Sequence, residues 1–180
     1  VGTLVRFFYF ERNWTTKSSE FLEKKQLRIA NPLFHFGLLC VIGGHVVGVL
    51  IPKTWTAAIG INDHLYHEGA LYMGAVAGII FIVGFLLLMK RRFTVPAMKV
   101  NTSGLDKWLY LFLTLAIFSG MAGTLLNASG FFDYRVSIGP WFRSLLSFMP
   151  DPSLMEGVPF MFKFHMLAWM VVAIIFPFSR

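Results

Sequence analysis

The chain has one cysteine, Cys40, and few charges: 9 acidic and 16 basic residues in 180. A single thiol excludes an intrachain disulfide framework and a cysteine-rich metal site. Charged residues make up 14% of the sequence and apolar residues 56%. A soluble domain carries about 25% and 45–50%, respectively, so neither a soluble globule nor a disordered chain fits. Acid is also missing where it would matter for transport: no Asp or Glu falls within Leu33–Ile51, Gly69–Met89 or Pro159–Phe178. What the chain does have is length in its apolar runs and a mean hydropathy of +0.65. In such a chain the net charge of +7 points to the cytoplasmic side of a membrane rather than to nucleic acid.

A helix needs about 20 apolar residues to cross a bilayer. Four runs meet that length, at about residues 32–51, 69–89, 105–126 and 159–178. Pro32 and Pro159 stand where proline suits a first helical turn, and Pro52 and Pro177 where it ends or kinks one. The apolar Val1–Phe10 is too short to span and reads as the end of an earlier span, and Phe176–Arg180 stops where a helix emerges into water; both ends are therefore expected to be cut from a longer chain. Between the runs lie a charged segment with an amphipathic helical piece from about Ser18, polar connections at Lys53–Glu68 and Phe93–Asp106, and a long Gly-, Pro- and aromatic-rich loop, Asn127–Gly157. The predicted fold class is all-α: a single transmembrane helical bundle of four full spans plus the remnant of one before them.

Sidedness follows from the basic residues. One side receives Arg12, Lys17, Lys24, Lys25, Arg28, Lys90, Arg91, Arg92, Lys99, Lys107 and Arg180; the other receives Lys53, Arg135, Arg143 and Lys163. The richer side is expected to be cytoplasmic.

Ionisable residues inside spans are costly, and they are functional candidates by default. Three are histidines: His35, His45 and His165. His45 lies six residues before Ile51 and His165 six after Pro159, so both lie roughly 9 Å below the outer surface at about 1.5 Å per residue. Two imidazoles at one depth on separate spans suit the axial ligation of a haem iron. His35 lies near the inner surface, about 15 Å from His45 along the axis and turned by about 80°, and suits a second haem. It has no histidine partner at that depth. Met89, Met98 and Met170 are alternative ligands, and a histidine beyond Arg180 is the favoured one. Gly37, Gly44 and Gly48 share one side of the first span, and Gly74 and Gly78 pair on the next; they leave room for close helix packing or for a flat macrocycle. Cys40 reads as a buried packing residue, and Phe131, Phe132, Trp141 and Phe142 as an interfacial aromatic belt.

The stretch LFHFGLLCVIGGH at Leu33–His45 resembles the gamma subunit of respiratory nitrate reductase, a dihaem cytochrome b, and the Thr15–Lys25 and Asp133–Arg143 stretches resemble its Gram-positive members most. The likeness continues through Lys90-Arg91-Arg92, the Asp133–Arg143 stretch, Phe162–His165 and Phe176–Arg180. The resemblance implies a bacterial cell-membrane subunit that oxidises quinol, menaquinol in particular, near the outer face. It implies two b haems, the outer one on His45 and His165 and the inner one on His35 and a histidine past the Phe176–Arg180 motif. It implies as partners an iron–sulfur beta subunit and a molybdenum-containing alpha subunit on the cytoplasmic side, where nitrate is reduced. No clear counterpart exists here for a lysine that some members use in quinol binding; His64, His67 and Glu68 occupy that region as candidate quinol or proton contacts. A dihaem subunit of a heterodisulfide-reductase-like or sulfite-reduction complex shares the histidine plan, and a haem-free transporter or channel is the alternative of another class.

Overall fold

The computed structural model describes residues 24–179. Among these there is no strand. Helix α1 is Leu27–His45, continued by a π turn at Val46–Leu50; α2 is Lys53–Ala58; α3 is Asp63–Thr94; α4 is Pro96–Val100; α5 is Gly104–Leu126; α6 is Ile138–Leu146; α7 is Phe160–Ile175, ending in a 3₁₀ turn at Phe176–Phe178. Four of these stretches, Leu27–Leu50, Asp63–Thr94, Gly104–Leu126 and Phe160–Phe178, are long and apolar enough to cross a membrane. They match the four expected spans. The expected span end at Val1–Phe10 and the piece from Ser18 lie outside the described residues.

The boundaries differ in instructive ways. Helix α1 starts at Leu27 and runs through Pro32 instead of opening at it; one missing i→i−4 bond does not break a helix held along its length by a neighbour. Helix α3 extends past its apolar run at both ends. It begins where the Asn62 side chain accepts a hydrogen bond from the Leu65 N–H, a cap that satisfies one of the open donors of the first turn. His64, His67 and Glu68 are therefore on the first two turns of a helix, not in a loop. At α5 the Ser103 hydroxyl accepts from the Asp106 N–H at 3.1 Å and the Asp106 carboxylate accepts from the Ser103 N–H at 2.8 Å, a capping box that places a charge at a span's end.

The spans associate in pairs: α1 packs on α3, and α5 on α7, with a slighter contact between α3 and α5. Close approach of α1 and α3 depends on glycine. A Cβ on Gly37 would meet the Phe81 backbone nitrogen at 2.5 Å, and one on Gly84 would collide with the Phe34 backbone. Small residues of this kind let membrane helices pack backbone to backbone. Phe81, Phe85 and Ile117 form the core there, with Phe34, Leu38 and Val41 against it. The opposite face of α1 is open: Phe36, Leu39 and Ile42 are exposed. Cys40 shares that face and is exposed, contrary to its expected burial, because the α3-facing stripe is carried by Phe34, Gly37, Leu38 and Val41.

Candidate functional site

His45 and His165 come from different helix pairs and meet across the gap between them. Their ring centroids are 6.0 Å apart, with the ring planes inclined by 30°. Each ring is held by one nitrogen. His45 Nδ1 donates to the Val41 carbonyl oxygen at 2.8 Å, one turn back on its own helix. His165 Nδ1 donates across to the Ala116 carbonyl oxygen on α5 at 2.9 Å, with the Ser119 hydroxyl 3.3 Å away. Since a carbonyl only accepts, the proton is on Nδ1 in both rings, and Nε2 is left as the nitrogen with the available lone pair. This is the tautomer that metal-ligating histidines adopt, with the second nitrogen anchored to a carbonyl. A metal–imidazole bond is about 2.0–2.1 Å, so two rings on opposite sides of one metal, each centred roughly 1 Å beyond its bonded nitrogen, lie roughly 6 Å apart. The observed pair fits that spacing.

Helix α5 shapes this site more than its own sequence advertises. The His165 ring lies against Gly120, where a Cβ would come within 2.7 Å of Cε1. On α1, Gly43 and Gly44 face open space beside His45. Gly37 is taken up by the α3 crossing, and Gly48 by two tyrosines: a Cβ there would lie 2.9 Å from Tyr134 Cε2 and 3.0 Å from the Tyr66 hydroxyl. Gly78 and Gly74 face Met121 and Thr124 of α5. Of Gly37, Gly44 and Gly48, the three expected to share one side of the first span, Gly44 is thus the one beside free space, as is its neighbour Gly43.

His35 is at the other end of α1, exposed, with Nδ1 donating to the Asn31 carbonyl oxygen at 2.9 Å and its ring edge-on to Phe34. It has the same anchored tautomer as the other two. Met98 is buried, and its sulfur accepts from the Arg91 guanidinium at 3.4 Å; Met89 packs against the apolar core. Among the described residues no group of three or more His, Cys, Asp or Glu side chains is arranged to hold an ion directly. Histidine pairs serve an iron whose other ligands come from a macrocycle.

The family-model comparison decides what kind of membrane protein carries this pair. The description "Nitrate reductase gamma subunit" matches residues 1–180. The chain belongs to the nitrate reductase gamma subunit family. It is similar to the nitrate reductase gamma chain of Bacillus subtilis (strain 168), with 46% identity over 180 residues, covering 99% of this chain and 81% of that one. Respiratory nitrate reductase 1 gamma chain of Escherichia coli K12 is 28% identical over 182 residues, across 80% of its length. Nitrate reductase-like protein NarX of Mycobacterium tuberculosis is 38% identical over 183 residues, which are 28% of its length. As a gamma-family member the chain is a membrane-anchored subunit of an oxidoreductase complex. Membership selects the nitrate reductase reading over the related complexes and over a transporter.

Several features of this gamma-family chain lie beyond the residues singled out from sequence. At the His45 end, Lys53 bonds Asp63 at 2.8 Å and Asp133 at 2.9 Å, while Arg135 bonds Asp63 at 2.9 Å and Asp133 at 3.3 Å. The ring of four charges ties α2, the start of α3 and the 127–137 connection. Hydrogen bonds to the two carboxylates push the Lys53 ammonium above its ordinary pKa. Burial pushes Asp133 up, but the Lys53 bond, the Arg135 N–H and both cations outweigh it, and its pKa falls below the ordinary value. Arg143 on α6 donates to the Val49 carbonyl oxygen at 2.7 Å, covering the open end of the α1 π turn. His67 Nε2 donates to the Ala128 carbonyl oxygen at 3.0 Å, and its ring lies under Gly130. His64 is exposed and Glu68 half-buried. Of the expected aromatic belt, Phe131 is exposed, whereas Phe132 turns inward, its ring 4.9 Å from Phe162.

Proposed function

We propose that the chain is the cytochrome b subunit of a respiratory nitrate reductase: it oxidises quinol near the outer face of the bacterial cell membrane and delivers the electrons to an iron–sulfur subunit on the cytoplasmic side, which serves a molybdenum subunit that reduces nitrate. The observation that supports this most directly is the His45–His165 pair, 6.0 Å between ring centroids, with both Nδ1 atoms anchored to carbonyls. In this reading His45 and His165 would hold the outer b haem, and His35 would help to hold the inner one. When bound, haem supplies a one-electron iron couple in a low-dielectric setting.

The chain's own contributions are orientation and exclusion of water. The Val41 and Ala116 carbonyls hold a proton on each Nδ1 and fix how the rings are turned; Gly120 lets the His165 ring approach α5; Gly43 and Gly44 leave space beside His45. Quinol oxidation releases protons, so an outward route is useful, and His64 and Glu68, one turn apart at the start of α3, remain candidates for it. His67 is engaged with Ala128 and suits holding the 127–137 connection as well. The basic residues Lys24, Lys25, Arg28 and Lys99, all exposed, face the iron–sulfur partner. The test is a reduced-minus-oxidised optical spectrum of the His45→Ala protein in membranes. Loss of one low-spin haem with the protein retained is expected; two haems with unchanged spectra would overturn the assignment.

A further inference from the structure

Tyr134 packs against residues of both histidine-bearing helices. Gly48 is three residues beyond His45 and touches Tyr134. Phe162 is three residues before His165, and its ring centre is 6.5 Å from that of Tyr134. Three helical residues rise about 4.5 Å, so Tyr134 packs on both histidine-bearing helices about one turn beyond the paired imidazoles. It roofs the gap in which they meet. The Tyr134 and Tyr66 hydroxyls are 3.5 Å apart, so the roof carries a polar pair. Burial, then the Tyr66 hydroxyl, holds the Tyr134 pKa above the ordinary phenol value; the group is a neutral O–H at physiological pH.

The residues on either side of Tyr134 hold it there. Asp133 and Arg135 are both members of the four-charge ring with Lys53 and Asp63. Arg135 is 4% exposed, donates toward Thr56 at 3.5 Å, and lies with Cζ 3.7 Å from the centre of the Tyr66 ring. A planar guanidinium can stack on a ring and bond two carboxylates at once, which an ammonium cannot do. Asp133 and Arg135 are thus fixed to α2 and α3 while the residue between them turns inward.

We propose that Tyr134 hydrogen-bonds an oxygen of the bound quinol above the His45–His165 pair, and that Arg135 is the positioning residue that holds the Tyr66–Tyr134 pair in place. The inference rests on the quinol-oxidising reading above. A neutral phenol accepts from a quinol hydroxyl and donates to a quinone carbonyl, so one side chain serves both redox forms. No bond is made or broken at Tyr134, and no net proton is taken up there.

The test uses the full complex in membranes, with reduced menadione as the quinol, and the variants Tyr134→Phe, Arg135→Gln and Arg135→Lys. Losing one neutral hydrogen bond worth about 0.5–1.5 kcal/mol corresponds to roughly a two- to twelvefold change, so Tyr134→Phe is expected to raise KM by that factor with both haem signals retained. Arg135→Gln is expected to raise KM in the same direction, and Arg135→Lys to restore it only in part. A KM for Tyr134→Phe within about twofold of the parent overturns the proposal. So does a shifted haem spectrum or potential at unchanged KM, which would assign the hydroxyl to a haem carboxylate, and so does haem loss, which would make the roof purely structural. His45→Ala keeps the two readings apart. If it retains both haems, the haem reading itself fails; if it loses one while Tyr134→Phe leaves KM unchanged, only the role of Tyr134 fails.

Discussion

The His165 ring of α7 rests on Gly120 of α5, where a Cβ would lie 2.7 Å from Cε1 and 3.1 Å from Nδ1. The position tolerates no side chain while the ring stays put. Ala is a better helix former than Gly by about 1 kcal/mol, so Gly120→Ala should leave α5 intact and move the imidazole instead. We expect a lowered haem-to-protein ratio, with the protein still inserted, and an unperturbed inner haem. Haem quantitation alongside immunoblotting of membranes measures both; a full complement of haem would show that the ring can shift without cost.

His35 and His45 are about 15 Å apart along α1 by helical rise, and each has its own anchoring carbonyl. They are expected to serve separate groups. His35→Ala should remove one haem signal and His45→Ala a different one, separable by midpoint potential. Loss of the same signal in both variants would contradict two sites.

The four-charge ring predicts a stability window. Asp133 has a lowered pKa in the fold, so its contribution is present above the unfolded value of 3.8 and is lost as pH falls through the lower folded value. Lys53 has a raised pKa, so its contribution is complete below 10.5 and is lost as pH rises through the higher folded value. Thermal melts of the solubilised protein should be flat with respect to this cluster between those limits. Lys53→Met should remove the alkaline limb; an alkaline limb unchanged in that variant would mean that another group sets it.

Topology can be read by labelling. In a Cys40→Ser background, single cysteines at the exposed positions Ser153 and Lys99 should differ in access to a membrane-impermeant thiol reagent added to intact cells. Labelling at 153 and protection at 99 is the expected pattern. The reverse pattern would turn the bundle over and remove the basis for docking the iron–sulfur subunit on the Lys24–Arg28 side.

The spans were legible because hydropathy is a property of consecutive residues, and because the bilayer imposes one length on every crossing. The depth match of His45 and His165 was legible for a similar reason: helical rise is constant, so position from a span's end converts to height without knowing which helices are neighbours. Boundaries were less legible. Asn62 and Ser103 cap helices through single side-chain bonds, and α6 formed inside what the composition marked as loop, since its apolar face repeats over only nine residues and Gly139 and Pro140 stand in its first turn.

By itself, then, the sequence determined four apolar crossings, their charge asymmetry, and two histidines at one height. Which face each helix turns to which neighbour was decided by the tertiary structure. Helix faces are selected by packing, and the packing here is set by pairs far apart in the chain: Gly37 with Phe81, Gly120 with His165, Arg135 with Asp63. Gly120 reads as one small residue among 16 glycines, and Arg135 as an ordinary basic residue in a loop. Each acquires its meaning from a contact made 45 or more residues away, where sequence periodicity carries no information and only the closed bundle brings the two groups together.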